Sequence, residues 1–140
     1  MEQDLNKAKQ LLEQNDMTCV LCRQDCVLTS RLRGVRPLLE FLDSGTDLRG
    51  FSAADKVVGK GAAFLYCLLG VRGVYAPVMS KAARQVLEAH GIYAVCQLQV
   101  EAIFNRRRDG FCPMEIATEH ISDPRVALIA IRETLQKLAK

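Results

Sequence analysis

The sequence contains no long apolar run. Its longest nearly uncharged stretch, residues 61–71, is far shorter than the roughly 20 residues that a helix needs to cross a bilayer. The first residues include Glu2, Asp4 and Lys7, where an export signal would have a basic and then an apolar segment. We therefore expect no contact with a membrane and a cytoplasmic location.

The chain also has little excess charge. Its net charge is +3 and its pI is near 8.6, whereas nucleic-acid-binding domains usually have a pI above about 9 and a clustered basic face. We do not expect nucleic acid as a partner. The 140 residues, 49% hydrophobic and 25% charged and free of repeats, are typical of a globular protein with a single domain, 1–140.

Metal-binding patterns are scarce. His90 and His120 stand alone in the sequence, and each is expected to cap the end of a helix. Cys19 and Cys22 have the letters of a metal or redox motif, but residues three apart on a strand point to opposite faces. The six cysteines lie mostly in apolar runs, where cysteine behaves as a small hydrophobic residue. We expect reduced thiols, no metal site and no cofactor.

The hydrophobic periodicity and the turn residues predict alternating helices and strands. In chain order, we predict a helix over 2–14, a hairpin over 18–30, a helix over 37–42, a helix over 52–69, a strand over 74–78, a helix over 80–90, a strand over 92–98, a helical turn or two over 100–105, a helix over 112–120 and a helix after Asp123. This order predicts an α/β fold, a three-layer α/β/α sandwich with four to five mixed strands flanked by helices. Ligands in such folds favour helix N-termini and strand ends.

The predicted helix start at 52–63 combines caps and charges. Ser52 and Asp55 form an S-x-x-D capping box, which explains Asp55 structurally. Lys56 and Lys60 follow on the first turns, where a cation is unfavourable to the helix dipole. A solvated face explains both lysines, and so does an anionic ligand held by free backbone N–H groups. The glycines and alanines at 59–63 predict close packing of this helix on the sheet, or room for a ligand.

Further polar residues are candidates for a site. Cys112 precedes a proline at a predicted helix start, where a thiolate is stabilised and the cysteine could be a nucleophile. A cysteine that is only buried or capping explains it equally, and Glu115 could act as its base or only favour the helix dipole. Either a solvated loop or a phosphate site explains the arginines at 31, 33 and 36 and those at 106–108. Ser80 and Asn105 are polar contacts if their elements end on the ligand side.

Five ordered motifs resemble a bacterial family of unknown function in the cytidine-deaminase-like superfamily. They are NDMTCV (15–20), RGVRPL (33–38), ADKVVGK (54–60), VYAPVMS (74–80) and CPME (112–115). The resemblance spans nearly the whole chain. It implies a deaminase-like fold and a pocket that receives nucleosides, bases or nucleotides in relatives.

The same resemblance implies that the zinc site of the deaminases is absent. Zinc deaminases carry His-x-Glu or Cys-x-Glu at a helix start and Pro-Cys-x-x-Cys after the next strand. The matching positions here are Ala53-Ala54-Asp55 and residues 77–81, PVMSK, so only the acid, Asp55, is retained. Without a metal, water stays near its bulk pKa, and zinc-dependent deamination is not expected.

Three hypotheses follow. The first is a metal-free domain that binds a small nucleotide- or nucleoside-type ligand at the helix start near Asp55, with Lys56, Lys60 and Arg33 facing its phosphate and Ser80 and Asn105 as further contacts. The second is a different enzyme acting on a nucleotide-like substrate, with Cys112 as nucleophile and Asp55 or Glu115 moving protons. The third is a structural partner protein that forms a homo-oligomer.

Overall fold

The computed structural model describes residues 2–104 and 110–139. Asn105, a predicted ligand contact, and the arginines at 106–108 lie outside the described residues. The helices and strands are, in order, α1 (Glu2–Gln14), β1 (Cys19–Arg23), β2 (Cys26–Ser30), α2 (Arg36–Ser44), β3 (Ser52–Asp55), β4 (Val57–Val58), α3 (Lys60–Leu69), β5 (Gly73–Ser80), α4 (Lys81–Ala89), β6 (Tyr93–Val100), α5 (Pro113–Thr118) and α6 (Pro124–Leu138).

These strands form one six-stranded mixed sheet. β1 pairs antiparallel with β2 and β3, and β5 pairs parallel with β3, β4 and β6. β6 occupies one edge of β5, so β3 and β4 both pair along its other edge. The register of β4 against β5 continues that of β3. They are one strand interrupted at Lys56. Pro77 lies opposite the interruption and has no N–H to continue the ladder.

Helices cover both faces of the sheet, but unequally. α1 alone packs on one face, where Leu5, Ala8 and Leu12 contact Val20 and Tyr75. α2, α3 and α4 form the core on the other face, and α5 and α6 pack on α3. The predicted α/β class, a mixed sheet flanked by helices, is confirmed, with six strands where four to five were expected.

Most predicted elements are present. The opening helix, the hairpin, the helix that begins after Asp123 and the glycine stops at Gly45 and Gly70 lie where the sequence predicts them. Cys19 and Cys22 belong to different core clusters on opposite faces of the sheet, as expected for a strand. In the described part of the chain, no helix has both the length and the apolar composition to cross a membrane.

The predicted helix start at Ser52 is wrong. Ser52 to Asp55 forms the buried strand β3, and α3 begins only at Lys60 with Gly59 as its N-cap. Ala53 and Ala54, both fully buried, face opposite sides of the sheet between β1 and β5. Strand pairing on both edges therefore overrides the local capping pattern, and Ser52 caps no helix.

Two smaller predictions also fail. Residues 100–105 were expected to form a helical turn, but β6 extends to Val100 and the described residues 101–104 are not helical. The glycines of α3 were expected to pack on the sheet. A Cβ on Gly61 would instead lie 3.1 Å from the Cβ of Met114, on α5. The small residue therefore permits helix-on-helix packing.

Candidate functional site

The carboxyl ends of the parallel strands meet at one edge of the sheet, where α3 and α4 begin. β4 leads through Gly59 into α3, and β5 leads directly into α4. Ser80 caps α4, and its buried hydroxyl accepts a hydrogen bond of 3.1 Å from the N–H of Ala83. Its polar atom is thus engaged with its own helix.

Asp55 lies in the core beneath this edge. Its carboxylate accepts a 2.7 Å hydrogen bond from the hydroxyl of Tyr66, and the Cys19 thiol lies 3.4 Å from the same hydroxyl. Burial raises the pKa of Asp55 to about 7, although the Tyr66 hydroxyl and the backbone N–H groups of Val57 and Lys56 favour the carboxylate. Burial also raises the pKa of Cys19 and Tyr66. Five cavities on the described part of the chain do not include Asp55 in their linings.

Glu115, on α5, caps the N-terminus of α3. Its Oε1 accepts a 2.5 Å hydrogen bond from the backbone N–H of Lys60. A Cβ on Gly59 would collide with this carboxylate, so glycine at the N-cap leaves the space that the Glu115 contact occupies. Burial raises the pKa of Glu115, while the N–H and charge of Lys60 and the backbone of Ile103 lower it. The Glu115 carboxylate thus occupies the place at the N-terminus of α3 where a helix can bind an anion.

The ammonium group of Lys60 points toward the far end of α5. Its Nζ donates a 2.9 Å hydrogen bond to the Glu119 carbonyl oxygen and lies 5.7 Å from the centre of the Phe64 ring. Lys56 is exposed at the strand interruption. The described contact of the Lys60 ammonium is with the end of α5, and a joint contact of the two lysines with a phosphate stays a prediction.

A cavity of about 430 Å³, here called the arginine cavity, opens on the other side of α5. It is lined by residues of the turn before α2, of α5 and of α6, namely Arg33, Gly34, Val35, Arg36, Phe104, Cys112, Pro113, Met114, Leu135 and Leu138. Two arginines, Arg33 and Arg36, belong to a lining that is otherwise largely apolar. The structure thus brings together Arg33 and Cys112, which are far apart in sequence.

A smaller cavity of about 250 Å³, here called the glutamate cavity, lies at the carboxyl edge of the sheet. Its lining is Lys60, Ala82, Glu101, Ala102, Phe111, Glu115, Ile116 and Glu119. α5 separates it from the arginine cavity, since the two linings use opposite sides of that helix. Cys112 and Glu115 therefore face different cavities, and Glu115 is directed at Lys60.

Several residues of these sites carry no motif in the sequence. Tyr66 is one of them. The sequence indicates it only as a phenol in a helix that is otherwise rich in small and apolar residues. Phe104 is another; it stacks on Phe111 with ring centroids 5.6 Å apart and stands 58% exposed. Phe104 and Phe111 can be recognised as an exposed aromatic pair only when the fold is known.

No cluster of three or more His, Cys, Asp or Glu side chains suited to a metal occurs within the described residues. The positions that resemble the deaminase motifs have different surroundings from those expected. Ala53, Ala54 and Asp55 lie in β3, so Asp55 is not at a helix start. The residues at the start of α3 are Gly59, Lys60 and Gly61.

Comparison with known proteins establishes the family. A family model described as a domain of unknown function, DUF1893, matches residues 7–135. The chain belongs to the DUF1893 family. None of the curated proteins matches it.

Two solved structures resemble this DUF1893 protein. A DUF1893 family protein from Thermotoga maritima has a TM-score of 0.85 and 22% identity over 95% of this chain and 91% of that one, which shows that the two share a fold. A dCMP deaminase from the cyanophage S-TIM5, in apo form, has a TM-score of 0.45 and 12% identity over 68% of this chain and 94% of that one. We draw no conclusion from a likeness at that level.

The buried carboxyl of Asp55 makes stability depend on pH. Its pKa rises from an ordinary 3.8 to about 7 on folding, so the folded protein binds a proton more tightly than the unfolded chain. The resulting stabilisation is complete below pH 3.8 and is lost as the pH rises to about 7. We expect Asp55→Asn to remove this decline in the free energy of unfolding between pH 5 and 8, measured by urea denaturation. The exposed-site variant Asp16→Asn should keep it; equal slopes in wild type and Asp55→Asn would contradict the assignment.

The Glu115 cap should stabilise the contact between α3 and α5. Glu115→Ala leaves the N–H of Lys60 without its acceptor, and loss of a helix cap costs about 1 kcal/mol. We expect the free energy of unfolding to fall by about that amount in urea titrations at pH 7. Glu119→Ala is the matched control, because that side chain is 66% exposed and should change stability by less than about 0.5 kcal/mol. Equal effects would refute the cap.

Proposed function

We infer that this DUF1893 protein binds a small nucleotide-type ligand in the arginine cavity. The observation that carries the proposal is the pair Arg33 and Arg36 at the rim of a cavity with a mainly apolar wall. Such a site suits a ligand with an anionic group at one end and a flat, weakly polar group at the other. A nucleoside phosphate has both.

The chemistry of the rim favours phosphate. A guanidinium presents a planar fork of donors that matches phosphate oxygens. Within residues 2–104 and 110–139, neither Arg33 nor Arg36 forms a salt bridge, and both are exposed. Their charges are thus available to a ligand without breaking a described ion pair.

The interior suits a base. The volume of about 430 Å³ lies in the range of about 300–1,000 Å³ usual for small-molecule sites. Phe104 offers an aromatic surface of the kind on which bases stack, and Met114 offers a deformable apolar one. The resemblance of the sequence to a deaminase-like family supports a nucleoside-type ligand independently.

The helix start at Lys60 is the poorer candidate for the phosphate. The Lys60 N–H already donates to Glu115, and its ammonium donates to the Glu119 carbonyl. The adjoining glutamate cavity has three acidic side chains in its lining, which repel a phosphate. We therefore propose that Arg33, which the sequence already predicts to face the phosphate, binds it together with Arg36, in preference to Lys60.

Catalysis through Cys112 is the second candidate. Its position in the lining of the arginine cavity favours it, because a bound ligand would lie beside the thiol. The expected proton acceptors are directed elsewhere, since Glu115 binds the Lys60 N–H and Asp55 binds Tyr66. We therefore place binding ahead of catalysis.

Isothermal titration calorimetry with nucleoside monophosphates and the matching nucleosides tests the proposal. We expect the monophosphate to bind more tightly than its nucleoside. Arg33→Ala should weaken binding about 10- to 100-fold, the loss of one charge-assisted hydrogen bond of roughly 1.5–3 kcal/mol. Lys56→Ala removes an exposed charge outside the cavity and should leave the affinity unchanged.

The outcomes separate the hypotheses. Failure of every nucleoside monophosphate to bind, or equal losses in Arg33→Ala and Lys56→Ala, would refute the proposal. Cys112→Ser distinguishes the enzyme hypothesis, because it should preserve binding under either hypothesis and abolish ligand turnover only if the thiol is the nucleophile.

A further inference from the structure

The strand β6 (Tyr93–Val100) forms one free edge of the sheet. Among the described residues, it pairs with β5 alone. The Tyr93 N–H donates to the Arg72 carbonyl oxygen at 3.0 Å, so Tyr93 directs its backbone groups toward β5. Backbone groups alternate between the two edges along a strand. Ala94, Cys96, Leu98 and Val100 therefore direct their N–H and C=O groups outward.

A contact of Arg84 confirms this assignment independently. Its guanidinium reaches over the edge from α4 and donates a 3.2 Å hydrogen bond to the Ala94 carbonyl oxygen. Ala94 thus has its C=O on the outer side. This arginine satisfies one outward acceptor at the beginning of the strand, and the groups of Cys96 and Leu98 lie beyond it.

Beyond the Arg84 contact at its beginning, the sequence of β6 carries none of the usual protection of an edge strand. Natural edges carry lysines, prolines, bulges or inward charges, or they are very short. The eight residues of β6, YAVCQLQV, include no charge, no proline and no glycine. Tyr93 is 49% exposed and Leu98 is 56% exposed. The opposite edge strand, β2, is shorter at five residues and lies between Asp25 and Arg31.

We propose that β6 pairs antiparallel with β6 of a second copy of this chain, across a two-fold axis at Gln97, and joins the two sheets into one. The absence of charged residues in β6 favours a second copy of this chain as its partner. In a two-fold interface the same patch faces itself, so a strand with charges of one sign would meet a strand with those same charges. A charge-free strand in a chain that is 25% charged suits this pairing, whereas a charged partner would require the opposite charge on β6.

The two-fold axis restricts the register of the pairing. A two-fold axis perpendicular to the sheet keeps each side chain on its own face, so opposed residues must be an even number apart along the strand. Centring on Gln97 places Cys96 opposite Leu98 of the second copy, with their outward groups exchanging both hydrogen bonds. Ala94, whose carbonyl binds Arg84, lies at the end of this ladder. The same guanidinium also lies 3.6 Å from the Cys96 sulfur.

Gln97 provides a sharp test. It is exposed and directs its backbone groups toward β5, so a new side chain there leaves the fold intact. In the proposed dimer it lies opposite itself, where like charges are destabilising. We expect light scattering after gel filtration to give a dimer for the wild type, and at least ten-fold weaker association for Gln97→Lys and for Gln97→Glu. A mixture of the two variants should form dimers again, because opposite charges then meet.

Controls keep the outcome decisive. Ile129→Lys introduces the same charge at an apolar α6 residue that is 59% exposed, and it should leave the dimer unchanged. Circular dichroism on each variant verifies that it is folded. A monomeric wild type up to about 0.5 mM, roughly −4.5 kcal/mol of association at most, would overturn the proposal. A dimer insensitive to Gln97→Lys, or a variant mixture that stays monomeric, would overturn it equally.

Discussion

The hydrogen bond from the Lys60 N–H to the Glu115 carboxylate organises the functional face of this protein. A helix N-terminus is a natural anion site because its first N–H groups are unpaired and its dipole is positive. Here α5 brings its own anion to that position, and Gly59 leaves the space for it. The contact fixes α5 as a wall between two cavities. The lining of one includes three glutamates and that of the other two arginines, so the two cavities differ in charge.

A second constraint lies in the sheet itself. Pro77 lies in the central strand β5, and the neighbouring strand is interrupted at Lys56, opposite it. Asp55 precedes the interruption and is buried against Tyr66. Burial raises the pKa of Asp55 to about 7, as is common for catalytic acids. The sequence resemblance also puts Asp55 at the position of a catalytic acid. Its position beneath the strand ends nevertheless makes it part of the core.

Local signals predicted the parts of this fold that depend on local structure. The apolar stripes of α1 and α6, the proline and aspartate at the start of α6 and the glycine after α3 all act within a few residues. β3 was missed because its strand character arises from β1 and β5, which lie far away in the chain. Its S-x-x-D pattern satisfied the rule for a helix start, and the unfavourable charges of Lys56 and Lys60 did not outweigh that rule.

The candidate site shows the same limit. Arg33 and Cys112 were singled out separately, by charge and by position before a proline, and only the fold brings them into one cavity. The capping of Lys60 by Glu115 joins residues 55 positions apart, so spacing alone could not predict it. Membership in the DUF1893 family fixes the fold of the chain and leaves its ligand to be found. The absence of charge in β6 was visible in the sequence, but its meaning depends on β6 being an edge strand.

We propose that a nucleotide phosphate binds at the arginine cavity and not at the start of α3. Amide chemical-shift mapping by NMR during titration with a nucleoside monophosphate distinguishes the two positions. We expect the largest shift changes at residues 33–36 and 112–114, with the amides of Lys60 and Gly61 little changed. Largest changes at Lys60 and Gly61 would contradict it, because the ligand would then have displaced Glu115 from the helix N-terminus.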